Sequence, residues 1–212
     1  MDETCFQRVL DGVVGREDVR LSFDDGNRSD VEIAVPALLE RGLHATFFVV
    51  AGRVDEPGFL AREEIRAVAE SGMTVGSHGM HHRSWRETTW GELDTEINAS
   101  RAVLEEIIER SVDVAACPFG HYDRRVLRAM RRAGYQHVFT SDGGSVRRGS
   151  WVQPRTSLRR AEAHLVLDRI SDVEPASSRL AQDLKLLARR WRRPPQERRS
   201  PERVAGLPDD GP

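Results

Sequence analysis

The chain has 212 residues, a length that suits one α/β domain with a substantial core and leaves little room for a second. Its 32 basic and 34 acidic residues give a formal net charge of −2, so no overall positive charge indicates binding to nucleic acid or to an anionic membrane. Lys185 is the only lysine, which excludes lysine-based catalysis from the first 184 residues. Cys5 and Cys117 are the only cysteines, and their spacing indicates neither a disulfide framework nor a zinc knuckle. Because the basic and acidic residues nearly balance, we expect partners that are neutral or small.

The N-terminal region carries charges throughout its first twenty residues and has no apolar run of signal-peptide length. No stretch of the sequence is long and apolar enough to span a bilayer. As written, the sequence predicts a cytoplasmic protein, although a start truncated upstream would leave export open.

Strands and helices alternate along the chain, a pattern that indicates a parallel sheet built from βα units. The predicted strands span residues 19–23, 45–50, 73–77, 112–116 and 137–140. Helices are predicted from Val31 to a stop at Gly42, over 62–70, from a Thr89-x-x-Glu92 capping box to Ile108, and over 122–133. Polar motifs follow several strands directly, and sites in such folds form at the carboxyl ends of the strands.

We divide the chain into an N-terminal extension (1–18), a catalytic domain (19–191) and a tail (192–212). Five of the ten prolines lie between Pro194 and Pro212, among arginines and acids with almost no apolar residues. This composition predicts a disordered tail.

Two motifs at predicted strand ends carry the chemistry: SFDDG at residues 22–26 and SHGMHH at residues 77–82. Asp25, His78 and His82 offer one carboxylate and two imidazoles, a set that holds a divalent metal and leaves positions open for water and substrate. Asp24 lies beside a ligand and is left over as a base.

Each motif alone also has an ordinary interpretation. An Asp-Asp-Gly sequence is commonly a turn, and two histidines four residues apart are commonly structural or surface residues. A third motif, CPFG at residues 117–120, follows another strand. Because the three motifs occur together, each at a strand end, the sequence favours a metal-dependent hydrolase.

In these motifs the chain resembles the polysaccharide deacetylase family, the NodB-homology carbohydrate esterases of family 4 that include chitin and peptidoglycan deacetylases. The resemblance covers about residues 19–158, with SFDDG for TFDDG, SHGMHH for the family's His-Ser/Thr-x-x-His element, and residues 118–120 for its third motif. It implies a distorted, incomplete parallel β/α barrel that binds a divalent metal, with zinc expected first and cobalt, nickel or manganese as alternatives.

The resemblance also implies roles for individual residues. Asp24 would be the catalytic base, and Asp25, His78 and His82 would be the metal ligands. The backbone N–H of Phe119 would help the metal to stabilise the oxyanion.

The chain departs from the family pattern at two points. Where the third motif often begins with an arginine that braces the base, this sequence has Ala116; Arg155, which follows Pro154, is a candidate substitute and is also counted among the substrate-binding residues. The late leucine-x-x-histidine element that usually supplies a general acid has no good copy. His121, next to the third motif, is therefore assigned as the acid, with His164 as the weaker alternative.

Trp85 is predicted to bind substrate, and together with Trp90 it could form a platform for a pyranose ring. The alternative is that these tryptophans cover the core.

The predicted reaction is the metal-dependent removal of N-acetyl groups from an amino-sugar saccharide or a cell-envelope precursor. The alternatives are an O-acetyl esterase or deformylase acting on a related sugar, or a carbohydrate-binding protein with weakened activity. The expected partner is an acetylated carbohydrate, with no nucleic acid and no membrane span; the sequence does not predict the oligomeric state.

Overall fold

Six parallel strands form one sheet in chain order, curved into a partial barrel. This confirms the incomplete parallel β/α barrel that the family resemblance implies, with one strand more than the five predicted. The computed structural model describes residues 3–147 and 149–158. The predicted tail (192–212), the end of the catalytic domain at residue 191 and His164 lie outside the described residues. The strands are β1 (Leu21–Asp25), β2 (Ala45–Val49), β3 (Thr74–Ser77), β4 (Val114–Ala116), β5 (His137–Thr140) and β6 (Val152–Pro154).

One helix precedes β1, and helices connect each pair of successive strands from β1 to β5. They are α1 (Glu3–Val13), α2 (Val35–Glu40), α3 (Arg62–Glu70), α4 (Trp90–Asp94), α5 (Ser100–Ile108) and α6 (Arg124–Arg132). Two π-helical segments, Asp30–Ala34 and Thr95–Ala99, lead directly into α2 and α5. In the described part of the chain, every helix is too short or too polar to cross a membrane.

The centre of the sheet is apolar on both faces. Phe47 and Phe48 in β2 are fully buried although they point to opposite faces, which is expected of a central parallel strand covered on both sides. Phe47 pairs in register with Phe23 of β1, and the two rings stack with centroids 4.8 Å apart. The continuous apolar run of β2 therefore forms the middle of the core.

The predicted helix starts have clear local causes. The Thr89–Glu92 capping box is confirmed: the Thr89 amide donates to the Glu92 carboxylate (2.8 Å), and the Glu92 amide donates to Thr89 Oγ1 (3.3 Å). The Glu64 carboxylate likewise accepts the Ala61 amide at the start of α3.

Two elements were not predicted, α1 and β6. Helix α1 is polar on its outer face, and its buried side chains, Val9, Leu10 and Val13, are too few for a strong periodic signal. Strand β6 has only three residues, below the length at which alternation can be recognised. In addition, β1 starts and ends two residues later than the predicted strand 19–23, so both Asp24 and Asp25 lie within the strand.

The parallel arrangement brings the motifs to the same edge of the sheet. Asp25 is in register with Val49, and Val49 is in register with Ser77, the residue before His78. Strands β1 and β6 form the two outer edges, and Arg155 follows β6 immediately. The first and last strands thus both contribute side chains at the carboxyl end of the barrel.

We predict that Gly76→Ala destabilises the protein by about 1–3 kcal/mol, because the core at this point is already filled. A Cβ atom at Gly76 would lie 2.6 Å from Phe48 Cδ1 and 2.9 Å from a methyl group of Val114. Gly91 in α4 is the matched control, since a Cβ atom there meets nothing within 4 Å and alanine favours the helix by about 0.5–1 kcal/mol. Urea unfolding measures the free energy of unfolding of both variants. Equal values for Gly76→Ala and Gly91→Ala would show that the core around Gly76 can accommodate a methyl group.

Candidate active site

Three potential ligand atoms converge at the carboxyl ends of β1 and β3. Asp25 Oδ1 lies 3.2 Å from His82 Nε2 and 3.7 Å from His78 Nε2. One donor atom from each of the three residues falls within 4.8 Å of the others. The residues that the sequence predicts as ligands are therefore close together in the fold.

The chemistry of this cluster fits a divalent cation. Asp25 Oδ1 is buried and has no hydrogen-bond partner among the described residues, which is costly unless a cation occupies the space beside it. His78 Nδ1 is 2.9 Å from the Ala116 carbonyl oxygen. Since a carbonyl can only accept, Nδ1 carries the proton and Nε2 keeps its lone pair. Burial lowers the pKa of His78, despite the nearby Asp24 carboxylate, and favours the neutral ring that a metal requires.

Three residues at the site have backbone conformations that usually favour glycine. Asp25, His82 and Phe119 have φ angles of 81°, 52° and 57°. Such conformations cost free energy and persist where the surrounding structure holds them, frequently at functional sites. The strain thus coincides with the residues proposed from the sequence.

Arg155 holds the Asp24 carboxylate with two parallel hydrogen bonds. Its terminal nitrogens lie 2.6 Å from Oδ1 and 2.9 Å from Oδ2, and one of them also donates to Ser22 Oγ at 2.8 Å. The guanidinium group lies over the Phe48 ring, 4.9 Å from its centroid. Because both terminal nitrogens face Asp24, the contacts of Arg155 fit the predicted role of holding the Asp24 carboxylate better than the predicted role of binding substrate.

The electrostatic balance at Asp24 follows from this contact. Burial of the carboxylate acts to raise its pKa, but the hydrogen bonds and charge of Arg155, together with the nearby His78 and His82, outweigh burial, so the pKa is lowered from its usual value. Asp24 is therefore ionised near neutral pH. Oδ2 of Asp24 lies 3.8 Å from His78 Nε2, beside the cluster of Asp25, His78 and His82, here called the ligand cluster.

The third motif forms a tight turn, Pro118–Gly120, next to His82. The Phe119 side chain is 60% exposed, and its ring centroid is 4.6 Å from that of His82. His121 is exposed; its Nδ1 lies 3.0 Å from Ser84 Oγ, and its ring lies 5.9 Å from the ring of Phe119. Phe119 thus lies between His82 and His121.

Phe119 and His121 also line an open cleft of about 530 Å³. Its other lining residues are Arg83, Ser84, Glu87, Thr88 and Glu92. The cleft adjoins the cluster of Asp25, His78 and His82 through Phe119, which lines the cleft and packs against His82.

The prediction that Trp85 contacts substrate is wrong, because its side chain is fully buried. Its indole N–H donates to Glu96 Oε2 at 3.3 Å, so the ring belongs to the core. Trp90 is 54% exposed, and the Arg125 guanidinium lies 5.3 Å from its ring centroid. The sequence alone could not separate these two tryptophans, because Trp85 precedes the predicted helix and Trp90 lies in its first turn, where the apolar pattern is not yet established.

Glu96 was not predicted as part of the site. It is buried, with 1% of its surface exposed, and its carboxylate contacts the segment that carries the two histidines. A signal was present in the sequence, because Glu96 falls three residues after Leu93 and immediately before Ile97, on the apolar side of the predicted helix.

The fold is that of solved deacetylases. A Streptococcus pyogenes deacetylase, PplD, in complex with acetate superimposes with a TM-score of 0.71 at 18% identity, covering 80% of this chain and 87% of that one. IcaB from Ammonifex degensii gives a TM-score of 0.66 at 20% identity, covering 79% of this chain and 88% of that one. These similarities establish the partial β/α barrel.

The family follows from the sequence comparison. The sequence model of the family described as polysaccharide deacetylase matches residues 11–138, and the chain belongs to this family. The Bacillus subtilis protein YxkH, named as a polysaccharide deacetylase, is 25% identical over 130 residues, which cover 61% of this chain and 47% of that protein. A poly-β-1,6-N-acetyl-D-glucosamine N-deacetylase of Staphylococcus aureus is 23% identical over 149 residues, covering 64% of this chain and 51% of that protein. The chain thus spans about half the length of these curated relatives.

We predict that Arg155→Gln raises the pKa of Asp24, because the variant loses the lowering influence of the guanidinium and keeps the burial that raises it. A carboxylate with a lowered folded-state pKa adds stability above its unfolded pKa, and this stability is lost as the pH falls. The difference in unfolding free energy between wild type and variant should therefore narrow below about pH 4.

Carboxyl-detected NMR titration of Asp24 measures the shift directly. Arg41→Gln is the control, since Arg41 forms an exposed ion pair with Asp11 and should leave Asp24 unchanged. An unchanged Asp24 titration in Arg155→Gln would show that the ion pair does not set its pKa.

Proposed function

We propose that the protein is a divalent-metal-dependent hydrolase that removes N-acetyl groups from an amino-sugar-containing saccharide. The observation that carries this proposal is the convergence of Asp25, His78 and His82 around an unpartnered carboxylate oxygen, next to an ionised Asp24. Membership of the polysaccharide deacetylase family supports the reaction class. The relative from Staphylococcus aureus, named for an N-acetylglucosamine polymer, supports the substrate class.

In this proposal Asp25, His78 and His82 hold the ion, with zinc expected because one carboxylate and two imidazoles suit it. When bound, the ion would polarise the acetyl carbonyl and acidify a water molecule. Asp24 would accept the proton of the attacking water, and its lowered pKa keeps it in the ionised state that this role needs. Arg155 would fix the orientation of the Asp24 carboxylate.

Phe119 and His121 would act on the substrate and on its leaving group. The Phe119 backbone N–H would donate to the developing oxyanion, a role supported by the position of its ring beside His82. His121 would protonate the departing amine, because an amide anion is a very poor leaving group. Its exposure and its hydrogen bond to Ser84 place it at the open cleft, where a saccharide could bind.

The alternative of a binding protein with weakened activity rested on Ala116 in place of the family's arginine and on the missing leucine-x-x-histidine element. The first of these arguments is weakened, because Arg155, just after β6, forms two hydrogen bonds with Asp24. An O-acetyl esterase or deformylase would need the same set of residues, and the substrate assay below distinguishes these activities.

We predict that His78→Ala and His82→Ala each lose bound metal, because removal of one of three protein ligands sacrifices most of the affinity. Asp24→Asn should keep its metal, since Asp24 acts as the base, while its turnover falls by about 100-fold or more. Metal content after dialysis and acetate release from acetylated chito-oligosaccharides, with and without chelator, measure both properties.

Two outcomes would contradict this assignment. Metal loss in Asp24→Asn equal to that in His78→Ala would make Asp24 a ligand. Acetate release that survives complete removal of metal would exclude the proposed mechanism. Release from O-acetylated xylan, or formate release from an N-formylated sugar, in the absence of chito-oligosaccharide hydrolysis would favour the esterase or deformylase instead.

We predict that His121→Gln slows hydrolysis of an acetamidosugar by about 100-fold but spares an activated aryl acetate, whose leaving group needs no proton. Ser84→Ala is the milder control, because it removes only the hydrogen-bond partner of His121. Equal rates for wild type and His121→Gln on the acetamidosugar would remove His121 from the mechanism.

A further inference from the structure

Glu96 binds the segment that carries both metal-ligand histidines, residues 78–82, here called the histidine loop. Its Oε2 accepts the Met80 amide at 2.9 Å, and its Oε1 accepts the His81 amide at 3.1 Å. The Trp85 indole N–H also donates to Oε2, at 3.3 Å. One buried carboxylate therefore receives three N–H groups, two of them from the backbone between His78 and His82.

The position of Glu96 depends on an irregular helical turn. Glu96 lies in the π-helical segment Thr95–Ala99 between α4 and α5, and such segments are rare and frequently occur at functional sites. On the same turn, the Glu96 carbonyl accepts the Ser100 hydroxyl at 2.5 Å, and Ser100 Oγ lies 2.9 Å from Ser77 Oγ. The helix thus contacts the chain on both sides of His78.

The packing at Gly79 shows how closely the carboxylate fits the loop. Gly79 has a φ of +84°, and a Cβ atom there would collide with Glu96 Oε2 and lie 3.0 Å from Trp85 Nε1. The space that a side chain at residue 79 would need is filled by the carboxylate. Glycine at this point therefore permits both the turn and the approach of Glu96.

A buried carboxylate is stable only when its oxygens are well hydrogen-bonded, and the loop amides need acceptors for the same reason. The histidine loop is short, irregular and strained at His82, where φ is 52°. We propose that Glu96 is a positioning residue that holds the histidine loop in its ligating geometry before a metal binds. This inference rests on the metal site proposed above.

Metal affinity tests the proposal. Glu96→Gln replaces one acceptor oxygen by an NH₂ group that faces backbone N–H donors, so it should weaken zinc binding by about 10- to 100-fold, as expected for groups that orient metal ligands. Glu105→Gln is the matched control, because Glu105 on α5 also accepts a loop amide, that of Val112 at 2.9 Å, but in another loop. Zinc affinity of the control should stay within about twofold of wild type. Equal zinc affinity in wild type and Glu96→Gln, or equal losses in both variants, would overturn the proposal.

Glu96→Asp keeps the charge and shortens the side chain, so it should recover part of the lost affinity; it also serves as the test variant if Glu96→Gln does not fold. Zinc binding by Glu96→Asp that is no tighter than binding by Glu96→Gln would count against a role for the carboxylate itself. The electronic spectrum of the cobalt-loaded protein reports the ligand geometry, and it should change in Glu96→Gln but not in Glu105→Gln.

Hydrogen exchange in the metal-free wild type tests the same idea without a metal. The Met80 and His81 amides should be protected, and Glu96→Gln should accelerate their exchange by at least about tenfold, whereas the Val112 amide should respond only to Glu105→Gln. Unprotected Met80 and His81 amides in the wild type would overturn the proposal. Failure of the wild type to bind any divalent metal would instead refute the proposed function, so the two failures are distinguishable.

Discussion

The ion pair between Arg155 and Asp24 links the two ends of an incomplete barrel. Strands β1 and β6 lie at opposite edges of the sheet, and the Arg155 side chain connects them through Ser22 and Asp24. A closed barrel joins its first and last strands by backbone hydrogen bonds, whereas here a guanidinium group makes the connection. The contact that bridges the two edges of the sheet therefore also holds the proposed catalytic base.

This dual role has an energetic consequence. The pair is partly buried, with 16% of the Arg155 side chain and 36% of the Asp24 side chain exposed. Such a pair contributes modestly to stability while both partners are present, but removal of one partner leaves a partly buried charge without compensation and is costly. Phe48 packs against the guanidinium and limits its access to water, which strengthens the interaction with Asp24. The charge state of Asp24 and the closure of the barrel are consequently coupled, and a change in either one should affect the other.

The sequence predicted the parts of the site that depend on parallel-strand topology. Asp25 lies at the end of one strand, and His78 and His82 follow another; because the carboxyl ends of these strands meet at one edge, the proximity of the three residues could be inferred without a structure. The bounds of α3 and β5 were predicted correctly because each has a clear apolar pattern with defined ends. Side-chain contacts between residues far apart in the sequence were harder to predict. Arg155 could be proposed as a brace only as a substitute for the arginine that the resembling family carries where this chain has Ala116. Neither the burial of Trp85 nor the contacts of Glu96 follow from local spacing.

The candidate site has two parts: residues held in place by hydrogen bonds, and exposed residues at the cleft. The Ala116 carbonyl accepts a hydrogen bond from His78, Arg155 holds Asp24, and Glu96 holds the histidine loop. All of these contacts are buried or partly buried. Phe119 and His121 are exposed and face a cleft whose lining includes both Arg83 and Glu87. Preorganised groups favour a fixed chemical step, because they need no rearrangement when charge develops in the transition state. Exposed side chains on turns can vary with little cost to the core. In the function proposed above, the groups held by these contacts would carry the hydrolytic step, and the exposed residues Phe119 and His121 would contact the saccharide from the cleft.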